Sequence, residues 1–146
     1  MKKSLSFLLA LLTLTAAVPL AGAVPADSGL SLSCASCVLM EKETGAILLE
    51  DNAHEKLEPA SVTKIMTLLL VMEAVDSGQL GLDDPVTVSS YAAGMGGSQV
   101  YLEEGEQMPV SEMIKCVTVV SGNDCAVALA ERVAGSEGAF VARMNQ

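Results

Sequence analysis

Between Pro59 and Gly78 the chain runs PASVTKIMTLLLVMEAVDSG, and no other stretch restricts the fold as much. Ile65, Met66, Leu68, Leu69, Leu70, Val71, Met72, Ala74 and Val75 leave it almost no polar face. The pattern predicts a helix packed on all sides, opened by Ser61 and stopped by Gly78. Such a rod belongs at the centre of its domain. Ser61 and Lys64 stand three residues apart near its start, which puts both on one face, close enough for an amine to take a hydroxyl proton.

The chain ahead of this segment opens with a leader pattern. Met1-Lys2-Lys3 is basic, Leu5 to Leu20 is apolar apart from Ser6, Thr13, Thr15 and Pro19, and Ala21-Gly22-Ala23 suits a cleavage site. Residues 1–23 are therefore expected to be a secretory signal peptide, the apolar run being shorter than the roughly 18 residues of a membrane span. Residues 24–146 are enough for one modest domain. The formal charge is −10, and without Lys2 and Lys3 it becomes −12. So acidic a surface repels phosphate backbones, which argues against nucleic acid and for a small molecule or a neutral to basic polymer as partner.

Four cysteines stand at positions 34, 37, 116 and 125, with His54 the only histidine. Zinc would need a second close pair or more histidines, so no metal is expected. If Cys34 and Cys37 lie on one strand, alternation turns them to opposite faces, which argues against a redox pair. The thiols are read as free and structural, or as at most one disulfide, which secretion permits.

In chain order, Val24 to Ser33 reads as a flexible lead-in. Ala35 to Glu41 and Ala46 to Glu50 read as the strands of an antiparallel hairpin about Glu43-Thr44-Gly45, at the edge of a sheet. Asp51 to Glu58 is polar and irregular, and His54 within it reads as solvated surface. Val86-Thr87-Val88 is a short extended piece. The glycines of Tyr91 to Ser98 (YAAGMGGS) allow either a mobile turn or a rim beside a cleft, and their spacing does not match a phosphate loop. Ser111 can cap a helix through Met113, Ile114, Val117 and Val120 that stops at Ser121-Gly122-Asn123, where glycine and asparagine tolerate the backbone angles of a stop. Asp124 can cap the next helix, Cys125 to Ala134, closed by Gly135, and Ser136 a last one with Phe140, Val141 and Met144.

Neither polar motif proves anything alone. With 14 serines, six lysines and three asparagines in 146 residues, chance gives roughly 0.6 occurrences of serine with lysine three places on and roughly 0.3 of serine-any-asparagine. Their placement carries more weight, one opening an apolar helix and the other on a connection between two helices. Lys64 can act as base only when neutral, which burial would promote. The Ser61 backbone N–H could face a developing oxyanion, Ser121 could relay a proton, and the Asn123 amide could both donate to and accept from a peptide. A capping serine, a lysine reaching for solvent and a helix terminator explain the same residues without catalysis.

Pro59-Ala60-Ser61-Val62-Thr63-Lys64-Ile65-Met66-Thr67 followed by Ser121-Gly122-Asn123-Asp124 resembles the low-molecular-weight penicillin-binding proteins, the secreted serine D-alanyl-D-alanine carboxypeptidases. The likeness extends through Glu43-Thr44-Gly45, Asn52-Ala53, Gly97-Ser98 and Ala134 to Asn145. It implies an α/β (α+β sandwich) fold of the β-lactamase/transpeptidase type, here its edge hairpin and helical subdomain. It implies Ser61 as acyl-enzyme nucleophile, Lys64 as general base, and Ser121 with Asn123 as second element of the site. The implied partners are peptidoglycan stem peptides ending in D-alanyl-D-alanine, and β-lactams that mimic them, with no metal or cofactor. The implied location is extracytoplasmic. The family's third motif, Lys-Thr-Gly, is absent, since the only lysine after Lys64 is Lys115, followed by Cys116-Val117. Residues 24–146 are therefore expected to be the N-terminal part of the catalytic domain, with later sheet strands and any membrane-associating region beyond Gln146, and inactive or poorly folded in isolation. A serine β-lactamase and a non-catalytic wall-binding paralogue are the alternatives.

Overall fold

The computed structural model describes residues 32–146; the expected signal peptide and most of the lead-in lie outside the described residues. The described chain falls into two units, dividing between Leu57 and Glu58.

The first unit holds the expected hairpin, β1 (Cys37–Met40) against β2 (Ile47–Asp51), with Cys37 opposite Asp51 and an irregularity between Leu39 and Met40. Gly45 takes φ +71°, which suits a residue without Cβ. The Glu41 carboxylate accepts from the Glu43 and Thr44 amides and from the Thr44 hydroxyl, and these bonds, the hydroxyl's first, hold its pKa below the usual range. Since β1 begins only at Cys37, strand alternation does not govern Cys34. Its thiol neighbours that of Cys37, and the opposite-face reading fails. His54 is exposed, as its charged surroundings suggested.

The second unit comprises a 3₁₀ turn (Ala60–Thr63) leading into α1 (Lys64–Asp76), then β3 (Pro85–Thr87), α2 (Ser90–Ala93), β4 (Gln107–Pro109), α3 (Val110–Val120), α4 (Asn123–Ala134) and α5 (Glu137–Met144). Strands β3 and β4 pair antiparallel, Val86 opposite Met108. Gly78 (φ +74°) and Gly135 (φ +82°) supply the helix stops expected of them, and the Ser136 hydroxyl caps α5 by accepting from the Ala139 amide at 3.2 Å. Among the described residues no helix is long and apolar enough to cross a membrane.

The central helix is α4, not α1. Helix α4 packs against α1, α2, α3, α5 and β3, and buries Cys125, Val127, Ala128, Leu129, Ala130 and Val133. Its alanines let the neighbouring helices approach closely. Helix α1 buries only Thr67, Val71 and Ala74; Ile65 is 70% exposed and Leu69 50%. Apolar composition reports which faces a helix can bury, whereas the number buried depends on the neighbours that the fold supplies.

Three helix starts also depart from expectation. The 90–93 stretch is a short helix, capped where the Ala92 amide donates to the Ser89 hydroxyl at 3.0 Å. Helix α3 begins at Val110 behind Pro109, so Ser111 lies inside it. Gly122 occupies the cap position of α4, and Asp124 sits within its first turn.

The four cysteines are free. Burial first, then Cys116 and Asp124 nearby, push the Cys125 thiol far above its ordinary range. At neutral pH it therefore stays protonated as well as enclosed, and the thiolate is the reactive form. Iodoacetamide is expected to label exposed Cys34 in the native protein and to reach Cys125 only in denaturant. Peptide mass mapping that found both labelled equally fast in the native state would contradict this placement.

Candidate active site

Residue Ala60, immediately ahead of Ser61, takes φ +49°, a left-handed conformation that costs a non-glycine residue about 1–2 kcal/mol. This bend swings the chain into the 3₁₀ turn, so Ser61 sits exposed at the head of α1 rather than within it. One turn later Lys64 projects from the same face, half-buried, with Nζ 3.2 Å from Ser61 Oγ.

The second motif arrives from the opposite side. Helix α3 ends at Ser121, which carries φ +58°, so the left-handed step expected of glycine or asparagine falls on serine. Gly122 has φ −57° and is buried against Asp124, where an added Cβ would lie 3.0 Å from Oδ1. The turn aims Asn123 at the lysine. Its Oδ1 accepts from Lys64 Nζ at 2.5 Å, while its Nδ2 donates to the Gly96 carbonyl at 2.6 Å and its backbone N–H to the Ser98 carbonyl at 2.7 Å.

Ser61, Lys64 and Asn123 thus form one chain of contacts. Among the described residues the Ser121 side chain makes no hydrogen bond to any of them. The Asn123 amide, expected to face a peptide with both its functions, spends its oxygen on Lys64 and one N–H on Gly96, leaving a second N–H. The Gly94–Ser98 stretch is the rim of the two alternatives that its glycines allowed, since its carbonyls hold Asn123.

A cleft of about 240 Å³ opens beside Lys64 and Asn123, bordered by Ala60, Thr63, Thr67 and Phe140. A larger groove of about 560 Å³, lined by Met66, Leu69 and Met144 among others, touches none of Ser61, Lys64, Ser121 and Asn123. No three metal-ligating side chains gather among the described residues. The geometry can pass a proton from Ser61 Oγ to a neutral Lys64 amine while Asn123 fixes where that amine stands.

What sequence reasoning missed is Asp124. Its position at a helix start suggests a cap, yet its carboxylate is wholly buried and accepts from the Val100 amide at 3.0 Å, the Leu102 amide at 3.2 Å and the amide of its own neighbour Cys125 at 2.9 Å. An aspartate at a helix start looks like a cap in any sequence, and no local signal tells the two uses apart.

A serine hydroxyl, a lysine amine and an asparagine amide thus converge from two helix starts. The chain belongs to the D-alanyl-D-alanine carboxypeptidase family (Peptidase_S11), whose family model matches residues 23–146. It is 51% identical over 119 residues to the D-alanyl-D-alanine carboxypeptidase DacF of Bacillus subtilis, covering 82% of this chain and 31% of that protein. Among solved structures, it is similar to the D-alanyl-D-alanine carboxypeptidase DacD of Francisella tularensis, with TM-score 0.75 and 38% identity over 80% of this chain and 28% of that one. Penicillin binding protein 5 of Haemophilus influenzae gives 0.73 and 35% over 85% and 36%. The mixed α/β fold is that of these proteins, and the chain spans about a third of the length of the relatives it matches.

Proposed function

We propose that the protein is a serine D-alanyl-D-alanine carboxypeptidase, a hydrolase that removes the terminal D-alanine from peptidoglycan stem peptides and that penicillins acylate. The observation that carries the reading is the 3.2 Å approach of Lys64 Nζ to Ser61 Oγ, with Asn123 on the same amine. Family membership and relatives named as carboxypeptidases support it.

Lys64 accepts the Ser61 proton, and Oγ attacks the carbonyl carbon of the penultimate D-alanine. The Ser61 backbone N–H faces the developing oxyanion. The C–N bond breaks, and D-alanine leaves with the proton that Lys64 took from Ser61, passed to its amine through the Ser121 hydroxyl once the bound peptide bridges the two. Water then hydrolyses the ester, freeing Ser61 and the shortened peptide. The free N–H of Asn123 orients the peptide. Residues 24–146 form the nucleophile-bearing part of the catalytic domain behind a signal peptide over 1–23. The enzyme works outside the cytoplasmic membrane.

The test is to incubate the native, full-length secreted protein separately with penicillin and with a peptide ending in D-alanyl-D-alanine. A stable one-to-one adduct mapping to the Ser61 peptide, together with D-alanine release, is expected. Rapid penicillin turnover without D-alanine release would make the protein a β-lactamase; neither adduct nor release would make it a wall-binding paralogue.

The rim offers a sharper check. Gly97 has φ +77°, and a Cβ added there would lie 2.9 Å from Asn123 Nδ2. Gly97→Ala is therefore expected to displace the asparagine amide that holds Lys64. Acylation by penicillin, followed by intact mass, is expected to slow about tenfold or more, with a stability loss of about 1–2 kcal/mol from the left-handed backbone.

A further inference from the structure

We infer that Asp124 is a positioning residue, whose buried carboxylate clamps the 96–102 rim onto Asn123 and so sets where Lys64 meets Ser61. The inference rests on the carboxypeptidase reading only for its kinetic consequence. The clamp itself is visible in the contacts.

Oδ2 of Asp124 accepts from Val100 and from Leu102, the residues on either side of Tyr101, at 3.0 and 3.2 Å. Tyr101 has φ +64° and is 78% exposed, so packing of its side chain does not compensate the left-handed backbone. Two amides converging on one buried oxygen do, because a carboxylate accepts stronger hydrogen bonds than a carbonyl and suits such a backbone concavity. Four residues upstream of Val100, the same rim presents the Gly96 carbonyl to Asn123 Nδ2, and Ser98 presents its own to the Asn123 backbone N–H. Asp124 and Asn123 are adjacent in α4 and grip one strip of chain at two points. With the rim released, nothing else described would hold Asn123 Nδ2, and the amide would be free to turn its oxygen away from Lys64.

A residue that matters only for folding would lower the yield of active protein and leave the rate of the folded fraction alone. The readout is therefore the acylation rate constant at saturating penicillin in the full-length protein, measured on the acylatable fraction for Asp124→Asn, Asn123→Ala and the double variant. Asparagine has one acceptor oxygen and cannot serve both the rim and Cys125. Asp124→Asn is expected to slow acylation about 10- to 100-fold, and to have less than about a twofold further effect once Asn123 is alanine. Multiplicative effects, or an unchanged rate constant in Asp124→Asn, would overturn the proposal.

If Asp124→Asn does not fold, Tyr101→Val takes its place. A β-branched residue resists the left-handed region, and the exposed position loses little burial. The same dependence on Asn123 is expected, and independence from it overturns the clamp. Amide hydrogen exchange separates this inference from the reading beneath it. In either variant, protection at Val100, Leu102 and the Asn123 backbone N–H should fall together. Protection retained at Asn123 refutes the clamp whether or not Ser61 is ever acylated, whereas a wild-type protein without an adduct refutes the carboxypeptidase reading alone.

Discussion

In the full-length protein, Ser61→Ala is expected to abolish the covalent penicillin adduct, and Lys64→Ala to slow its formation about 10²- to 10⁴-fold. The first effect is absolute because, among the described residues, no other hydroxyl stands at the head of α1 with an amine 3.2 Å away. The second measures general-base assistance, since a serine hydroxyl is a weak nucleophile until its proton has somewhere to go. Lys64→Arg separates base from cation. A guanidinium keeps the charge and the contact to Asn123 within reach, but it stays protonated at any pH that the protein survives. It should therefore be as slow as alanine. Time-resolved intact mass reads all three variants, and near wild-type acylation by Lys64→Arg would remove the lysine from its role as base.

The second large effect is on stability. Leu129→Ala in α4 is expected to cost about 2–5 kcal/mol, and Phe140→Ala in α5 about 3–5 kcal/mol, through lost burial and the cavity left behind. Leu129 is fully buried and Phe140 is 2% exposed, both in the core around α4. The exposed Lys115, paired to Glu112 at 2.7 Å one helical turn away, supplies the control, where alanine should cost only a few tenths of a kcal/mol. Urea midpoints of the full-length protein give the comparison, and a cost under about 1 kcal/mol for Leu129→Ala would mean that α4 is not the centre of the unit.

Apolar composition alone places α1 at that centre, and packing places α4 there instead. Helix α1 is the most apolar segment, so periodicity had no polar face to report and could not say how many sides find partners. Helix α4 carries Asn123, Asp124, Glu131 and Arg132 among small residues, and looks like a surface helix until its neighbours are known. The left-handed steps at Ala60, Tyr101 and Ser121 were equally hidden, because no residue type there favours them. They exist because surrounding contacts outweigh a cost of about 1–2 kcal/mol each. Cys34 shows the same limit on a smaller scale: β1 begins only at Cys37, so the alternation that would turn the two thiols apart does not reach Cys34.

By itself the sequence determined whatever depends on neighbours within a turn or two. The serine-lysine spacing on one helical face, the glycine stops after α1 and α4, the Ser136 cap and the hairpin about Gly45 all follow from local backbone geometry. Only the tertiary structure decided that Asn123, 59 positions after Lys64, would hold its amine, and that Asp124 would grip a rim 22 to 24 residues upstream rather than cap its own helix. Contacts at that separation are set by how helices pack around α4. One aspartate or asparagine in sequence offers the same few hydrogen bonds to a near partner as to a distant one.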